Sequence, residues 1–218
     1  MKKKYTKSEI IKMIKGMFHK NKLMFAYYCG SEAYHTKDDN SDTDVIAVFS
    51  DITGVLQMSL DDIDIFIYGV KDYHKRFSMS EELPLYNRIF VDDYLYARDN
   101  LIYLDPKYEG EFNKVMQFDF SKIIVKYLEG VIEYFNDLLI VQGIIVKRNY
   151  HLFRIHEVVK RYIKTNVYQL TLEESTHEVI RHYKATWQDK DENYLNLLKE
   201  LLAEIVEFKE YIKEHEKK

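Results

Sequence analysis

Three short apolar runs in the first third of the chain limit its possible folds more than any other feature. They are LMFAYYC (23–29), DVIAVF (44–49) and DIDIFIY (62–68). Apolar runs of this length are typical of buried β-strands rather than of helices. Two of the runs carry aspartates among apolar neighbours, at Asp44 and Asp64. Because a buried strand seldom holds a carboxylate without a specific reason, these acids are candidate functional residues.

Helices are predicted on either side of these strands. Residues 7–18 have apolar residues at helical spacing, and Thr6 or Ser8 can cap that helix. Ser31 can cap a short helix that ends near residue 34, and residues 70–77 favour another helix. The segment 88–104 mixes short apolar runs with acids and is interpreted as strand or irregular structure.

The second half of the chain has a different character. From about Ser121 onward, apolar residues recur at helical spacing in three long segments, which predicts a bundle of three to five helices. We therefore predict an α/β (α+β) domain with a small mixed sheet over residues 1–115. An all-α helical domain is predicted over residues 116–218.

The aspartates of the strands are expected to form one site. Side chains two residues apart in a strand point the same way, so Asp42 and Asp44 project together. Asp64 joins them if its strand lies alongside; Asp62 shares a face with Asp64 and is the alternative third acid. Two carboxylates about 4 Å apart repel by roughly 4 kcal/mol at an effective dielectric constant near 20. A hard cation relieves this repulsion, and the oxygen donors suit Mg²⁺ or Mn²⁺.

The turn at Gly30-Ser31 supplies a second element of the predicted site. Glycine lets the backbone approach a phosphate closely, and the following short helix would direct free N–H groups at it. Ser31 adds a hydroxyl. A nucleoside triphosphate bridging this turn and metal-bound acids is therefore the expected substrate, as in an in-line displacement that releases pyrophosphate.

The spacing Gly-Ser, ten residues, Asp-x-Asp and then a strand acid resembles the nucleotidyltransferase fold of the DNA polymerase beta-like superfamily. More closely, GSEAYHTKDDNSDTD resembles the GSRAYG…SDxD segment of a predicted nucleotidyltransferase family of bacteria and phages. DIDIFIYGVKDYHKRF resembles that family's third-acid strand and helix. KRNYHLFR and EVIRHYKATW resemble its helical segments, so the likeness covers nearly the whole chain.

The resemblance implies a function and a set of site residues. It implies transfer of a nucleoside monophosphate from an NTP such as ATP to a hydroxyl or phosphate acceptor by a two-metal mechanism. The implied catalytic and metal-binding residues, with Mg²⁺ or Mn²⁺ as cofactor, are Asp42, Asp44 and Asp64. The implied nucleotide-binding residues are Gly30, Ser31, Lys147, His151 and Arg154. The acceptor could be RNA, a protein or a small molecule.

Two alternatives stay open at this point. Glu32 and His35 stand where the family has arginine and glycine, which motivates the alternative of a non-catalytic protein that keeps the fold and binds a nucleotide, nucleic acid or protein. Lys147, His151, Arg154 and Arg161 form a basic helical stripe, which would bind phosphates or be an ordinary solvated face.

Composition limits the remaining classes. The single cysteine, Cys29, excludes an internal disulfide and a cysteine-based zinc site. Apolar stretches stay below the roughly 18 residues of a membrane span, which predicts a cytoplasmic protein without a membrane partner. Residues 1–22 carry eight lysines and one acid, Glu9, a balance of +7. This basic segment would either bind an anionic partner or form a surface of solvated lysines.

Overall fold

In a computed structural model of the protein, the described residues are 4–37, 41–78, 88–117, 119–170, 172–189 and 191–215. The chain divides into two compact units. The first unit is Met1–Ser80 with Asp92–Phe118, and the second is Glu81–Val91 with Asp119–Lys218. That the two parts are domains with separate roles, divided at residue 115, stays a prediction.

The strands that the structure describes in the first unit form one mixed sheet. In chain order they are β1 (Leu23–Cys29), β2 (Thr43–Phe49), β3 (Val55–Leu60), β4 (Ile63–Gly69) and β5 (Leu101–Leu104). Their spatial order is β3-β4-β2-β1-β5. β2 and β4 are parallel, and the other neighbouring pairs are antiparallel. The predicted mixed sheet and its three predicted strands are confirmed, whereas β3 was not predicted.

The helices of the first unit follow most of the predicted bounds. They are α1 (Lys7–Met17), α2 (Gly30–Ala33), α3 (Val70–Ser78) and α4 (Glu109–Val115), with 3₁₀ turns at Val91–Tyr96 and Pro106–Tyr108. Thr6 is the N-cap of α1, and a capping box joins it to Glu9. The predicted cap at Ser31 is wrong, because α2 begins after Cys29 and has no side-chain cap.

The two faces of the sheet are covered differently. Ile10 and Ile14 of α1 pack on one face with alternate residues of β2 and β4, including Val45 and Ile65. The opposite face carries aromatic residues that pack against Tyr73 of α3. Because successive side chains of a strand point to opposite faces, the residues next in sequence to those on the α1 face point to the α3 face. Asp44 and Asp64 belong to the α3 face.

The second unit is helical over its described residues, which confirms the prediction of helices in the second half of the chain. Its helices are α5 (Ile124–Asn136), α6 (Tyr150–Thr165), α7 (Glu174–Ala185) and α8 (Glu192–His215), with a π turn at Asp137–Val141 and 3₁₀ turns at Phe120–Ile123 and Lys147–Asn149. α8 packs against α5 and α6 and buries Leu198, Leu202 and Ile205. Within the described ranges, every helix is too short or too polar to cross a membrane.

Candidate functional site

Two of the three predicted acids lie on neighbouring strands at the same level. Asp44 of β2 and Asp64 of β4 are partners in the parallel register. Adjacent strands are about 4.8 Å apart, and in-register side chains point to the same face. Both side chains are half-buried; Asp64 stands between buried Ile63 and Ile65, and Asp44 precedes buried Val45. The register therefore places Asp64 beside Asp44, whereas Asp62 lies in the turn before β4.

Asp42 comes one residue before β2 and is also half-buried. It stands two residues from Asp44, the spacing that directs two strand side chains to one face. Among the described residues, however, no three His, Cys, Asp or Glu side chains are grouped closely enough to hold a metal ion. The three-carboxylate metal set stays a prediction.

Asp64 has a hydrogen-bond partner that sequence reasoning missed. Ser59 of β3 is its antiparallel neighbour, and the Ser59 hydroxyl donates a short hydrogen bond to Asp64 Oδ1. This bond holds one carboxylate oxygen and leaves Oδ2 for another ligand. The signal for β3 was the Gly54 and Asp61-Asp62 turns on either side of a six-residue run. Asp61 has a φ of 49°, as a tight hairpin requires.

Gly30 packs directly against Asp44. Its φ is 58°, which a glycine adopts readily, and an added Cβ would lie 2.2 Å from Asp44 Oδ2. No other residue type fits this contact without displacing the carboxylate. The Gly30 turn and the Asp44 side chain are thus one packed unit, and their membership of a functional site stays a prediction.

The turn after Gly30 is closed by backbone hydrogen bonds. Ser31 is buried, and its carbonyl accepts a 3.0 Å hydrogen bond from the Thr36 amide. His35 has a φ of 56°, in the left-handed region. That conformation costs a non-glycine residue roughly 1–2 kcal/mol, so His35 keeps a backbone shape that glycine would adopt without strain.

Glu32 is neutralised within the same turn. The Lys37 ammonium forms a short ion pair with Glu32 Oε2 and donates a 3.1 Å hydrogen bond to Thr43 Oγ1. Both side chains of the pair are about one-third exposed. Glu32 therefore adds less negative charge near the turn than the sequence suggests.

Cys29 is buried at the end of β1. It is the antiparallel partner of Asp44. Burial, and then the negative charges of Asp44 and Asp93, raise the pKa of the Cys29 thiol well above its usual value. The thiol therefore stays protonated at neutral pH, and a structural role fits better than a nucleophilic one.

A buried arginine lies on the same face of the sheet. Arg76 of α3 is 5% exposed and donates a 3.0 Å hydrogen bond to the Tyr68 hydroxyl. Its charge lowers the pKa of Cys29, against the larger effects of burial and the acids. The Arg76 side chain thus places positive charge on the face of the sheet that also carries the acids. Sequence reasoning did not single out Arg76.

The predicted nucleotide-binding residues of the second unit have different surroundings. Lys147 is exposed in the turn before α6, whereas His151 and Arg154 are 3% and 1% exposed. The Arg154 guanidinium donates to His151 Nδ1 at 3.4 Å and to the Ile89 carbonyl at 3.3 Å. The reading of these residues as a solvated stripe is therefore wrong for His151 and Arg154.

His151 is neutral in this setting. Burial, and then the charges of Arg154, Lys184 and Arg148, lower its pKa well below the usual value. Because Nδ1 accepts a hydrogen bond, the neutral ring carries its proton on Nε2. The positive charge near the first turns of α6 is thus carried by Arg154, Lys184 and Arg148, and His151 adds none.

Comparisons with known proteins identify no family. The sequence matches no known family model and no characterised protein. Among solved structures, the chain is similar to a nucleotidyltransferase-like protein from Exiguobacterium sibiricum 255-15, at 8% identity and a TM-score of 0.33. The match covers 92% of this chain and 73% of the other. A likeness at this level supports no inference, and membership of the nucleotidyltransferase family stays a prediction.

Proposed function

We propose that the protein is a metal-dependent nucleotidyltransferase that moves a nucleoside monophosphate from an NTP to a hydroxyl or phosphate acceptor. One observation carries this proposal: Asp44 and Asp64 are in register on parallel strands, and Gly30 packs on Asp44. Two half-buried carboxylates beside a glycine turn are unfavourable for the fold alone, since like charges on neighbouring strands repel.

The donor set fits the proposed cofactor. Mg²⁺ takes oxygen ligands and commonly uses one or two carboxylates together with substrate phosphates, so a pair of aspartates is sufficient. Asp44 and Asp64 would hold the ion, with Asp42 as the third acid; Mn²⁺ suits the same donors. When bound, the ion would supply Lewis-acid activation of the phosphate.

The remaining roles belong to the chain itself. The Gly30-Ser31 turn would hold the triphosphate, since the absence of a side chain at Gly30 lets a phosphate approach the backbone. The Lys37–Glu32 pair would lower the repulsion between this turn and the triphosphate. Lys147, His151 and Arg154 would bind phosphates in the second unit.

The test uses each radiolabelled NTP with Mg²⁺ or Mn²⁺ and a cell extract, followed by separation of labelled RNA, protein and small molecules. Asp44→Asn should abolish labelling while the thermal stability stays the same or rises, because one of two repelling carboxylates is removed. Asp99→Asn is the matched control, because Asp99 is exposed and outside the site. Equal labelling by Asp44→Asn and the unsubstituted protein would overturn the proposed mechanism.

A second candidate is a protein that keeps this arrangement and binds without catalysis. The grouping of fewer than three carboxylates among the described residues favours it. Calorimetry separates the two. NTP binding that strengthens with Mg²⁺ supports the enzyme, whereas metal-independent binding without transfer supports the binding protein. A cytoplasmic location stays a prediction for both.

A further inference from the structure

A concave site lies in the first unit, away from the acids. It has a volume of about 390 Å³, and its lining combines basic residues (Lys15, His19, Lys22, Lys107) with aromatic residues (Phe18, Tyr103, Tyr108). The lining comes from the C-terminal end of α1, the start of β1 and the segment after β5. We refer to it as the basic-aromatic pocket.

The basic residues of this pocket outnumber its acids, with Lys15, Lys22 and Lys107 against Asp105. Among the described residues, none of its lysines forms an ion pair with a carboxylate. The acid in the lining, Asp105, accepts a 3.0 Å hydrogen bond from the Lys107 amide and caps the 3₁₀ turn there. The lysines are exposed and are therefore available to an anionic ligand.

The aromatic rings make the pocket more than a lysine surface. Lys15 Nζ lies 3.9 Å from the centre of the Tyr103 ring, and Lys107 Nζ lies 5.6 Å from that of Tyr108. Tyr108 is held by a 2.9 Å hydrogen bond between its hydroxyl and Ser50 Oγ. Lys15 and Lys107 thus each lie over a half-buried ring, and a ligand whose phosphates draw these ammonium groups aside would uncover a π face for its base. A nucleotide base attached to a phosphate has that combination of properties.

The pocket is distinct from the acidic site. Leu23, in its lining, begins β1, whereas Cys29 ends β1 beside Asp44. A seven-residue strand separates its ends by about 20 Å. Leu23 also packs with the α1 face of the sheet, and the acids are on the other face. The triphosphate proposed for the acids therefore does not fill this pocket.

We propose that the basic-aromatic pocket binds a segment of single-stranded nucleic acid, with bases stacked on Tyr103 and Tyr108 and phosphates on Lys15, Lys22 and Lys107. The pocket gives the basic N-terminal segment, with its balance of +7, a specific ligand. Binding here needs no metal and no transfer, so it stands or fails apart from the proposed function.

The test is fluorescence anisotropy with labelled 12-nucleotide single-stranded RNA and DNA at 0.1 M salt. For single strands, each lost phosphate contact changes the log–log salt slope by about 0.7. A triple variant of Lys15→Gln, Lys22→Gln and Lys107→Gln should therefore reduce the slope by about 2 and weaken binding roughly 100-fold at 0.1 M salt. Replacing the same lysines by arginine should preserve binding.

The matched control replaces three exposed lysines of the second unit, Lys122, Lys164 and Lys213, by glutamine. It makes the same change in net charge and should retain affinity within about threefold. Tyr103→Leu should weaken binding about tenfold by removing a stacking surface, with folding verified by circular dichroism. Asp44→Asn should leave binding unchanged.

Three results would overturn the proposal: no binding of either strand, an equal loss in the control variant, or competition by inorganic polyphosphate that equals competition by RNA per phosphate. The last would show that the pocket responds to charge alone.

Discussion

Gly30→Ala tests the packing of the Gly30-Ser31 turn against Asp44. An alanine would keep a φ of 58°, which costs roughly 1–2 kcal/mol for a residue with a Cβ. Its Cβ would also lie 2.2 Å from Asp44 Oδ2 and 2.9 Å from Cγ. Relief requires Asp44 to leave its rotamer, at a cost of about 1 kcal/mol. We expect the free energy of unfolding to fall by about 2–3 kcal/mol.

Two other glycines separate the backbone cost from the contact. Gly143 has a φ of 65° and Gly54 a φ of 90°, and an added Cβ at either position meets nothing within 4 Å. Alanine at Gly143 or Gly54 should therefore lose only the backbone part, about 1–2 kcal/mol. Urea denaturation of the three variants measures the difference. If Gly30→Ala were no less stable than Gly143→Ala, the inferred contact with Asp44 would be refuted.

Three further predictions follow from single contacts. Ser59→Ala should lower nucleotidyl transfer about tenfold while changing the unfolding free energy by less than about 1 kcal/mol, and Ser59→Thr should restore the rate. Equal rates for Ser59→Ala, Ser59→Thr and the unsubstituted protein would contradict a positioning role for the bond to Asp64. Cys29 should react with a thiol reagent at least about 100-fold more slowly in the folded protein than in urea, and fast labelling of the folded protein would show that the thiol is accessible. His156→Gln should destabilise the protein most below pH 6.5. Burial lowers the pKa of His156, but its hydrogen bonds to Glu157 and Glu204 raise that pKa overall. The stabilisation by His156 is therefore complete below the pKa of the unfolded state and is lost as the pH rises through the pKa of the folded state. Thermal melts from pH 5 to 9 measure this, and a stability difference that grows with pH would contradict the assignment.

The strands with continuous apolar character could be predicted because burial on both faces leaves a clear pattern. β1, β2 and β4 are of this kind, and their bounds differ from the predicted ones by one residue or less. β3 is an edge strand whose residues are mostly exposed, so neither a continuous run nor alternation marks it. The longer helices were predictable from the spacing of their apolar residues, and α1 begins after a predicted cap, Thr6, whereas α4 was not predicted.

The site was only partly predictable, because its residues are linked by register and packing. Gly30, Asp44 and Asp64 could be selected as residues out of place in apolar strands. That Ser59 bonds Asp64 depends on the hairpin pairing of β3 with β4, for which the Asp61-Asp62 turn was the one local signal. The burial of Arg154 was missed because an arginine on a helix face is exposed by default.

The position of β2 inside the sheet decides which part of the candidate site can move. β2 is hydrogen-bonded to β1 on one side and to β4 on the other, whereas β3 and β5 are the edges. Backbone amides of a strand paired on both sides exchange with solvent only through large opening events. Asp44 is therefore carried by one of the most persistent parts of the first unit. Any adjustment to a ligand falls to side-chain rotation and to the turn that follows Gly30, while the strand that carries Asp44 keeps its place.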